Sequence, residues 1–211
     1  MCGRFVLLTD LGEIEERFAV AEKGGVYVRG GNLTPGRPVS AVVREGVNRL
    51  VALHWGLVPS WAKDPAVGRR MFNARAETIA EKPSFREAFR RRRCLIPADG
   101  YYEWQKTPGR RKQPWLIRLR SRAPFAFAGI HEIWKGADGE VLRSCAIVTT
   151  TPNDLLAPIH DRMPVIVRRE DEERWLDGGE RDQARLLAVL RPYPPEEMEA
   201  LPVPPPFPGG A

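Results

Sequence analysis

Short apolar runs separated by turn-forming residues recur along the chain, and this pattern constrains the fold more than any other feature of the sequence. Residues 39–43 and 50–55 flank a turn at Glu45-Gly46, and residues 125–133 and 141–149 flank a second glycine-rich turn. Paired runs of this kind predict β-hairpins. Because short helical patterns stand between the strand patterns, the sequence predicts an α+β fold with a mixed, mainly antiparallel, barrel-like β-sheet and short peripheral helices.

The helical patterns are short and lie at intervals along the chain. Asp10 is expected to cap the first helix, which should end at Gly24-Gly25. Residues 84–92 predict a second helix, with Ser84 as its cap. Two more helices are predicted near residues 171–176 and 182–190.

Proline marks the C-terminal end of the chain. Eight of the twenty prolines lie between Pro192 and Pro208. Proline-rich segments of this composition are typical of extended linkers and tails. We therefore expect residues 1–191 to form a single domain and residues 192–211 to be a mobile tail.

The composition indicates a soluble globular protein. Hydrophobic residues make up 43% of the 211 positions and charged residues 28%. No run approaches the roughly 18 apolar residues of a membrane span, and Arg4, Asp10 and Glu13 interrupt any signal-peptide pattern. These features predict a cytoplasmic protein with no membrane partner. A net charge of +6 favours a polyanionic partner.

The three cysteines, Cys2, Cys94 and Cys145, are widely spaced and include no CxxC pair. An odd number without such spacing argues against both a disulfide framework and a zinc site. Cys94 and Cys145 stand in apolar strand-like runs, which predicts that both are buried. We expect neither a metal nor a cofactor.

Cys2 follows the initiator methionine, so removal of Met1 would leave an N-terminal cysteine. Its α-amine has a reference pKa of roughly 7.7–8.0 and can attack an aldehyde to form a Schiff base. The neighbouring thiol can then close onto the imine carbon and form a thiazolidine, aided by a high effective molarity. The alternative interpretation is that Cys2 is an ordinary small buried residue.

Two further residues are candidates for proton transfer. Glu103 stands among aromatic residues, where burial would raise its pKa and suit it to proton transfer; the alternative is a solvent-facing strand position. His160 lies in a segment bracketed by prolines, where a rigid loop could present its side chain. His54 and His131 lie in strand patterns and are expected to be structural.

Five other residues each have a functional and a structural interpretation. Asn73 could be a turn residue or helix cap. Arg4 and Arg75 could bind phosphates or form surface ion pairs. Trp61 and Trp104 could stack on bases or fill the core, and we favour stacking most for Trp61 because it lies in a loop.

Five motifs occur in one order and together resemble the SOS-response-associated peptidase (SRAP) family. They are residues 1–5 (MCGRF), 55–61 (WGLVPSW), 72–78 (FNARAET), 97–104 (PADGYYEW) and 159–164 (IHDRMP). The resemblance runs from Cys2 to about Val167. It implies a protein of the DNA damage (SOS) response that senses abasic sites in single-stranded DNA and crosslinks to them covalently. It also implies possible Schiff-base lyase and self-processing peptidase activities.

The resemblance implies a role for each candidate residue. Cys2 would be the crosslinking nucleophile, Asn73 would orient the reacting N-terminus, Glu103 would handle protons, and His160 would assist opening of the sugar ring. The resemblance also implies five residues that contact DNA. Phosphates or sugar would be held by Arg4, Arg75 and Thr149. The lesion would be flanked by Trp61 and Trp104, which would wedge or stack beside it.

Two other functions stay open at this point. One is a thiol or N-terminal-nucleophile peptidase in which His160 activates Cys2. The other is a single-strand binder that forms no covalent bond. For the abasic-site crosslinking function that the resemblance implies, the partner is single-stranded DNA containing abasic sites, and we expect a monomer that associates with the nucleoid when it is bound to DNA.

Overall fold

The computed structural model describes residues 2–106 and 112–204, which contain thirteen strands in two sheets. In chain order the strands are β1 Phe5–Leu7, β2 Glu22–Lys23, β3 Gly30–Leu33, β4 Pro38–Glu45, β5 Val47–Trp55, β6 Asn73–Arg75, β7 Arg93–Ala98, β8 Gly100–Lys106, β9 Lys112–Leu119, β10 Phe125–Lys135, β11 Val141–Thr150, β12 Met163–Pro164 and β13 Met198–Pro202.

The larger sheet closes into a barrel. Its strand order is β12-β11-β10-β7-β4-β5-β2, and β6 pairs with the other edge of β11. A parallel pairing of β11 with β5, at Ser144↔His54 and Cys145↔Trp55, joins the two sides of the sheet. The pairings of β10 with β11, β7 with β10, and β4 with both β5 and β7 are antiparallel. The predicted α+β class with a mainly antiparallel, barrel-like sheet is therefore confirmed.

Both predicted hairpins are present. The β4–β5 hairpin turns at Gly46, whose φ of +80° is a conformation that favours glycine. The β10–β11 hairpin pairs seven residues, from Gly129↔Ile147 to Lys135↔Val141. These long antiparallel pairs supply most of the barrel wall.

The smaller sheet, in the order β13-β9-β8-β1-β3, places the N-terminus beside β8. Phe5 of β1 pairs with Tyr101 of β8. The Phe5 ring is fully buried and packs edge-on against Trp55 at 5.3 Å and Phe127 at 5.6 Å. A buried phenylalanine of this kind stabilises a fold by about 3–5 kcal/mol relative to alanine. Phe5 thus anchors the residues that precede it against the barrel core.

The four α-helices are short and peripheral. They are α1 Leu11–Arg17, α2 Arg86–Arg91, α3 Glu172–Leu176 and α4 Gln183–Val189. Asp10 caps α1 as expected, because its carboxylate accepts a hydrogen bond from the Glu13 amide at 3.1 Å. The helix ends well before Gly24-Gly25, since Ala19 already has a φ of +47°. Ser84 is not the cap of α2, which begins after Phe85 with no side-chain cap.

The C-terminal segment differs from the expected tail. Met198–Pro202 form β13, which pairs antiparallel with β9 from Met198↔Leu119 to Pro202↔Trp115. A salt bridge of 2.8 Å between Arg118 and Glu199 supports the pairing. The boundary expected at residue 191 and the mobile tail from residue 192 are therefore wrong for residues 198–202. Pro202 is compatible with this strand because a proline at the end of an edge strand need not donate to the ladder. The last seven residues lie outside the described part of the chain.

No helix in residues 2–106 and 112–204 is long and apolar enough to cross a membrane.

Candidate active site

Cys2 lies three residues before β1 and is fully buried. The Asn73 side-chain amide donates a hydrogen bond to the Cys2 carbonyl at 2.9 Å. Asn73 is the first residue of β6, whose parallel pairing with β11 fixes it opposite Ile147. The Asn73 Oδ1 atom is buried and accepts no hydrogen bond from a described residue. A β-strand of the barrel wall therefore holds the N-terminal segment from one side and leaves an acceptor beside it.

The Cys2 thiol is neutral at physiological pH. Burial, and secondarily the Glu103 charge, raise its pKa well above the ordinary value for a thiol. The Tyr101 hydroxyl is also buried and has no hydrogen-bond partner among the described residues. Burial raises the pKa of Tyr101, with further contributions from Cys2 and Glu103. The thiol, the phenol and the carboxyl therefore share one buried environment.

Glu103 is buried, with a relative exposure of 2%. It lies two residues after Tyr101 on β8, and the alternating pattern of a strand directs both side chains to the interior. Burial raises the Glu103 pKa to about 7. The solvent-facing alternative for Glu103 is thus excluded. A carboxyl with this pKa exchanges protons readily near neutral pH.

His160 lies next to the same carboxyl. Its Nε2 atom lies 3.8 Å from Glu103 Oε2. The backbone N–H of Arg162 donates to His160 Nδ1 at 3.0 Å, and Asp161 Oδ1 lies at the same distance from Nδ1. These two neighbours require opposite protonation of Nδ1. Burial lowers the His160 pKa and Asp161 is highly exposed, so we assign a neutral ring that accepts at Nδ1 and carries its proton on Nε2.

Arg4 and Trp104 stand at the mouth of this site. The Arg4 guanidinium lies 5.7 Å from the centre of the Trp104 ring, within cation–π range. Arg4 Nη1 also donates to Asn32 Oδ1 at 3.1 Å. A cleft of about 300 Å³ opens here, lined by Trp104, Lys106 and the segment 157–161. Trp104 and Lys106 thus place an aromatic ring and a cation on a cleft that also contains His160, and Arg4 lies on the Trp104 ring.

Trp61 projects from a loop that the protein holds firmly. Its relative exposure is 63%, the largest among the exposed aromatic residues described. Trp134 Nε1 donates to the Ala62 carbonyl at 2.7 Å. At the base of the loop the backbones of Gly56 and Gly68 cross so closely that a Cβ on Gly68 would lie 2.6 Å from the Gly56 oxygen. The loop therefore presents a large apolar side chain on a fixed backbone.

Arg75 and Thr149 face each other across the β6–β11 pairing but differ in access. Arg75 is exposed, whereas Thr149 is fully buried. Arg162 Nη2 donates to the Thr149 carbonyl at 2.6 Å and lies 3.3 Å from its hydroxyl. In this structure Thr149 supports Arg162 rather than standing open to a ligand.

The structure brings the four candidate catalytic residues into one cluster. Asn73 contacts Cys2, His160 lies near Glu103, and the Glu103 charge acts on the Cys2 thiol. Four residues that no sequence pattern had singled out also belong to the site: Tyr101, Glu77, Arg162 and Asn32. Tyr101, Glu77 and Arg162 lie in the same sequence motifs as the candidate residues, so their positions in the sequence could have indicated a role. Asn32 lies in none of the five motifs.

Comparison with known proteins places this geometry in a family. The family model described as SOS response associated peptidase (SRAP) matches residues 1–206. The chain belongs to the SRAP family. A curated SRAP relative, abasic site processing protein YoqW of Bacillus subtilis (strain 168), is 44% identical over 203 residues, which cover 95% of this chain and 91% of the relative.

More distant relatives share the same core. Abasic site processing protein HMCES of Mus musculus is 32% identical over 173 residues, which cover 68% of this SRAP chain and 49% of HMCES. A crystal structure of a protein from Bacteroides thetaiotaomicron is 26% identical, with a TM-score of 0.91, and covers 100% of this chain and 95% of that one. A phage-related protein from Bordetella bronchiseptica is 30% identical with a TM-score of 0.73, covering 96% and 94% of the two chains.

Proposed function

We propose that this protein recognises abasic sites in single-stranded DNA and, once Met1 is removed, forms a covalent DNA–protein crosslink through Cys2. The observation that carries the proposal is the cluster in which Asn73 holds the Cys2 carbonyl, the Glu103 charge acts on the buried Cys2 thiol, and His160 lies 3.8 Å from the Glu103 carboxyl. Relatives that are 44% and 32% identical are named abasic site processing proteins, which supports the same lesion as the target.

The proposed chemistry uses both nucleophiles of an N-terminal cysteine. The α-amine of Cys2 attacks the aldehyde of the ring-opened abasic sugar and gives a carbinolamine. Glu103, with a pKa of about 7, donates a proton to the departing hydroxyl, which leaves as water, and the proton on nitrogen then returns to the Glu103 carboxylate to give the imine. The thiol then bonds to the imine carbon and its proton passes to the nitrogen. One water is released, and the product is a thiazolidine.

Asn73 and His160 have distinct parts in this proposal. Asn73 Oδ1, which accepts no hydrogen bond from residues 2–106 or 112–204, would accept one from an N–H of the attacking amine, while the amide nitrogen of Asn73 holds the Cys2 carbonyl. His160 carries its proton on Nε2 and would donate it to the sugar ring oxygen as the ring opens. That step matters because an abasic sugar exposes its aldehyde only in the open form.

The DNA strand would be held at the mouth of the site. Arg4 and the exposed Arg75 supply cations for phosphates, and Trp104 and Trp61 supply aromatic faces for neighbouring bases. Grooves with cations and aromatic platforms are the usual means of holding single strands. A single strand also avoids the cost of removing the lesion from a duplex. Thr149 contributes indirectly, through Arg162.

We further propose that the protein acts in the DNA damage response, in the cytoplasm, as a monomer on DNA. A lyase reaction from the same Schiff base is compatible with these groups. A thiol peptidase is less well supported, because such an enzyme needs a thiol with a lowered pKa and an adjacent histidine. Burial raises the pKa of Cys2, and His160 lies beside Glu103 instead.

The test is incubation of the mature protein with single-stranded oligonucleotides that differ only in one abasic site, followed by a denaturing gel. We expect the protein to give a heat-stable shifted band with the abasic oligonucleotide and none with the intact oligonucleotide. Cys2→Ser should retain a Schiff base that borohydride traps, yet lose the heat-stable band, because an oxygen ring is a weaker trap than a thiazolidine. Equal stable adduct from Cys2→Ser and the parent protein would refute the thiazolidine.

A further inference from the structure

Arg162 forms a clamp that joins three elements of the active site. Its guanidinium makes a bidentate pair with Glu77, at 2.6 Å to Oε1 and 2.9 Å to Oε2. The same group donates to the Thr149 carbonyl of β11 at 2.6 Å. Glu77 belongs to the one-turn 3₁₀ helix Ala76–Thr78 that follows β6. The clamp therefore ties the His160 segment to the barrel wall.

The main chain of Arg162 links this clamp to His160. The Arg162 N–H donates to His160 Nδ1 at 3.0 Å, and this bond sets both the ring orientation and the tautomer. With Nδ1 occupied as an acceptor, the Nε2 proton points toward Glu103, whose Oε2 lies 3.8 Å away. Any shift of the Arg162 backbone would move the donor that orients the imidazole.

The geometry of the pair suits a positioning role. The Arg162 side chain has a relative exposure of 12%, and two parallel N–H···O bonds to one carboxylate fix a guanidinium in both position and plane. Hydrogen bonds from Arg162 lower the pKa of Glu77, so its carboxylate stays charged across the neutral range. A neutral or monodentate partner would leave Arg162 more freedom to rotate.

We propose that Glu77 is a positioning residue for His160 and acts through the Arg162 clamp. Glu77 does not touch the reacting atoms in this account. It holds the guanidinium, the guanidinium holds the Arg162 backbone, and the backbone N–H holds the imidazole with its proton on Nε2. The inference rests on the proposed function for its catalytic consequence, but the link between Glu77 and His160 can be measured without DNA.

A competing role for Glu77 gives opposite results. The carboxylate, with a relative exposure of 46%, could occupy Arg162 in the free protein and be replaced there by a DNA phosphate. Glu77→Gln would then bind DNA more tightly and show a steeper salt dependence, since Arg162 would be available to a phosphate. The positioning role predicts unchanged binding and slower chemistry.

The experiment compares Glu77→Gln with a matched control, Glu173→Gln, which removes the carboxylate of a surface pair between α3 and Arg44. The first measurement is the titration of His160 in the free protein by NMR of its ring Cε1–H. The groups that act on this ring are the N-terminal amine, Asp161, Arg162, Lys106 and Glu103, and all are retained in both variants. We expect the titration midpoint to shift in Glu77→Gln and to stay unchanged in Glu173→Gln.

The second measurement is the single-turnover crosslinking rate at saturating abasic DNA across pH, with affinity measured separately on DNA that carries a non-reactive abasic analogue. We expect Glu77→Gln to lose roughly ten-fold or more in rate, less than the 10²–10⁴-fold typical of losing a proton-transfer group outright. Affinity should be unchanged, and circular dichroism should report an intact fold.

Two results would overturn the inference. An unchanged His160 titration and an unchanged rate would show that Glu77 does not position the ring. Tighter DNA binding at an unchanged rate would assign Glu77 to phosphate competition. If neither the parent nor the variant crosslinks but the His160 titration still shifts, the proposed function fails while the positioning role stands.

Discussion

Replacing Glu103 with glutamine should stabilise the protein at alkaline pH while it impairs the chemistry. Burial raises the Glu103 pKa from 4.5 to about 7, so ionisation is less favourable in the folded state than in the unfolded chain. Each pKa unit corresponds to about 1.4 kcal/mol, and this shift therefore costs the fold about 3 kcal/mol once the pH exceeds 7. The wild-type protein escapes this cost below pH 4.5, where the carboxyl is protonated in both states.

The sign follows from the direction of the shift. A raised pKa contributes stability at low pH that is lost between about 4.5 and 7 as the pH rises. Because glutamine does not titrate, the difference in stability between wild type and Glu103→Gln at each pH reports the ionisation of Glu103 and not that of other groups. For a chain of this size about 3 kcal/mol corresponds to a rise in Tm of roughly 8 °C.

The assay is thermal unfolding of wild type and Glu103→Gln across a pH series from acid to alkaline. We expect the Tm advantage of the variant to grow from acid to neutral pH and then to level off. The same variant should crosslink abasic DNA 10²–10⁴-fold more slowly, since it can neither give nor take a proton. A Tm difference that does not change with pH would refute the raised pKa and, with it, the role of Glu103 as a proton donor at neutral pH.

Three further predictions concern binding and catalysis. Arg4→Ala should weaken DNA binding by a similar factor for all DNA sequences and reduce the slope of log affinity against log salt concentration by about one. Fluorescence anisotropy over a salt series measures both, and a strong dependence on base sequence would contradict the prediction. Trp61→Ala should cost about 1–3 kcal/mol of affinity for single strands, as expected for a lost stacking platform, and unchanged affinity would show that the exposed ring makes no contact. His160→Ala should slow crosslinking by about 10²–10⁴-fold with binding nearly intact, and a parallel loss of binding would make its role structural.

Local patterns were sufficient to predict the barrel because its wall is made of hairpins. The β4–β5 and β10–β11 pairs join neighbouring segments through glycine-containing turns, so sequence proximity determines the pairing. The strand β13 escaped prediction because its partner β9 lies about eighty residues earlier in the chain. Nothing in the proline-rich composition of that end indicates that Met198–Pro202 complete a sheet.

The sequence predicted which residues belong to the candidate site better than it predicted the contacts between them. Cys2, Asn73, Glu103 and His160 could be named because each has unusual chemistry or setting, and the structure gathers them into one cluster. Contacts between segments that are far apart in the chain could not be inferred from the sequence. The Arg162–Glu77 pair spans 85 residues, and a sequence shows two charges without showing that they meet.

Burial was the other property that the sequence left open. Thr149 was expected to face DNA, but the β11 register turns it into the barrel wall beneath Arg162. For Glu103, buried and solvent-facing positions were both compatible with the strand pattern. The choice depends on which face of β8 meets the core, and only the assembled sheet determines that face.

The most direct test of the account is the dependence of crosslinking on a free N-terminal amine. A protein made with a cleavable tag ahead of Cys2 has an amide in place of the α-amine, and the amide lone pair is delocalised and not nucleophilic. The same preparation after cleavage, with Cys2 as its first residue verified by intact mass, is the matched control. Both forms are incubated with abasic single-stranded DNA and resolved on a denaturing gel. The account predicts a stable adduct only after cleavage, whereas an adduct of equal yield before cleavage would contradict the aminothiol mechanism.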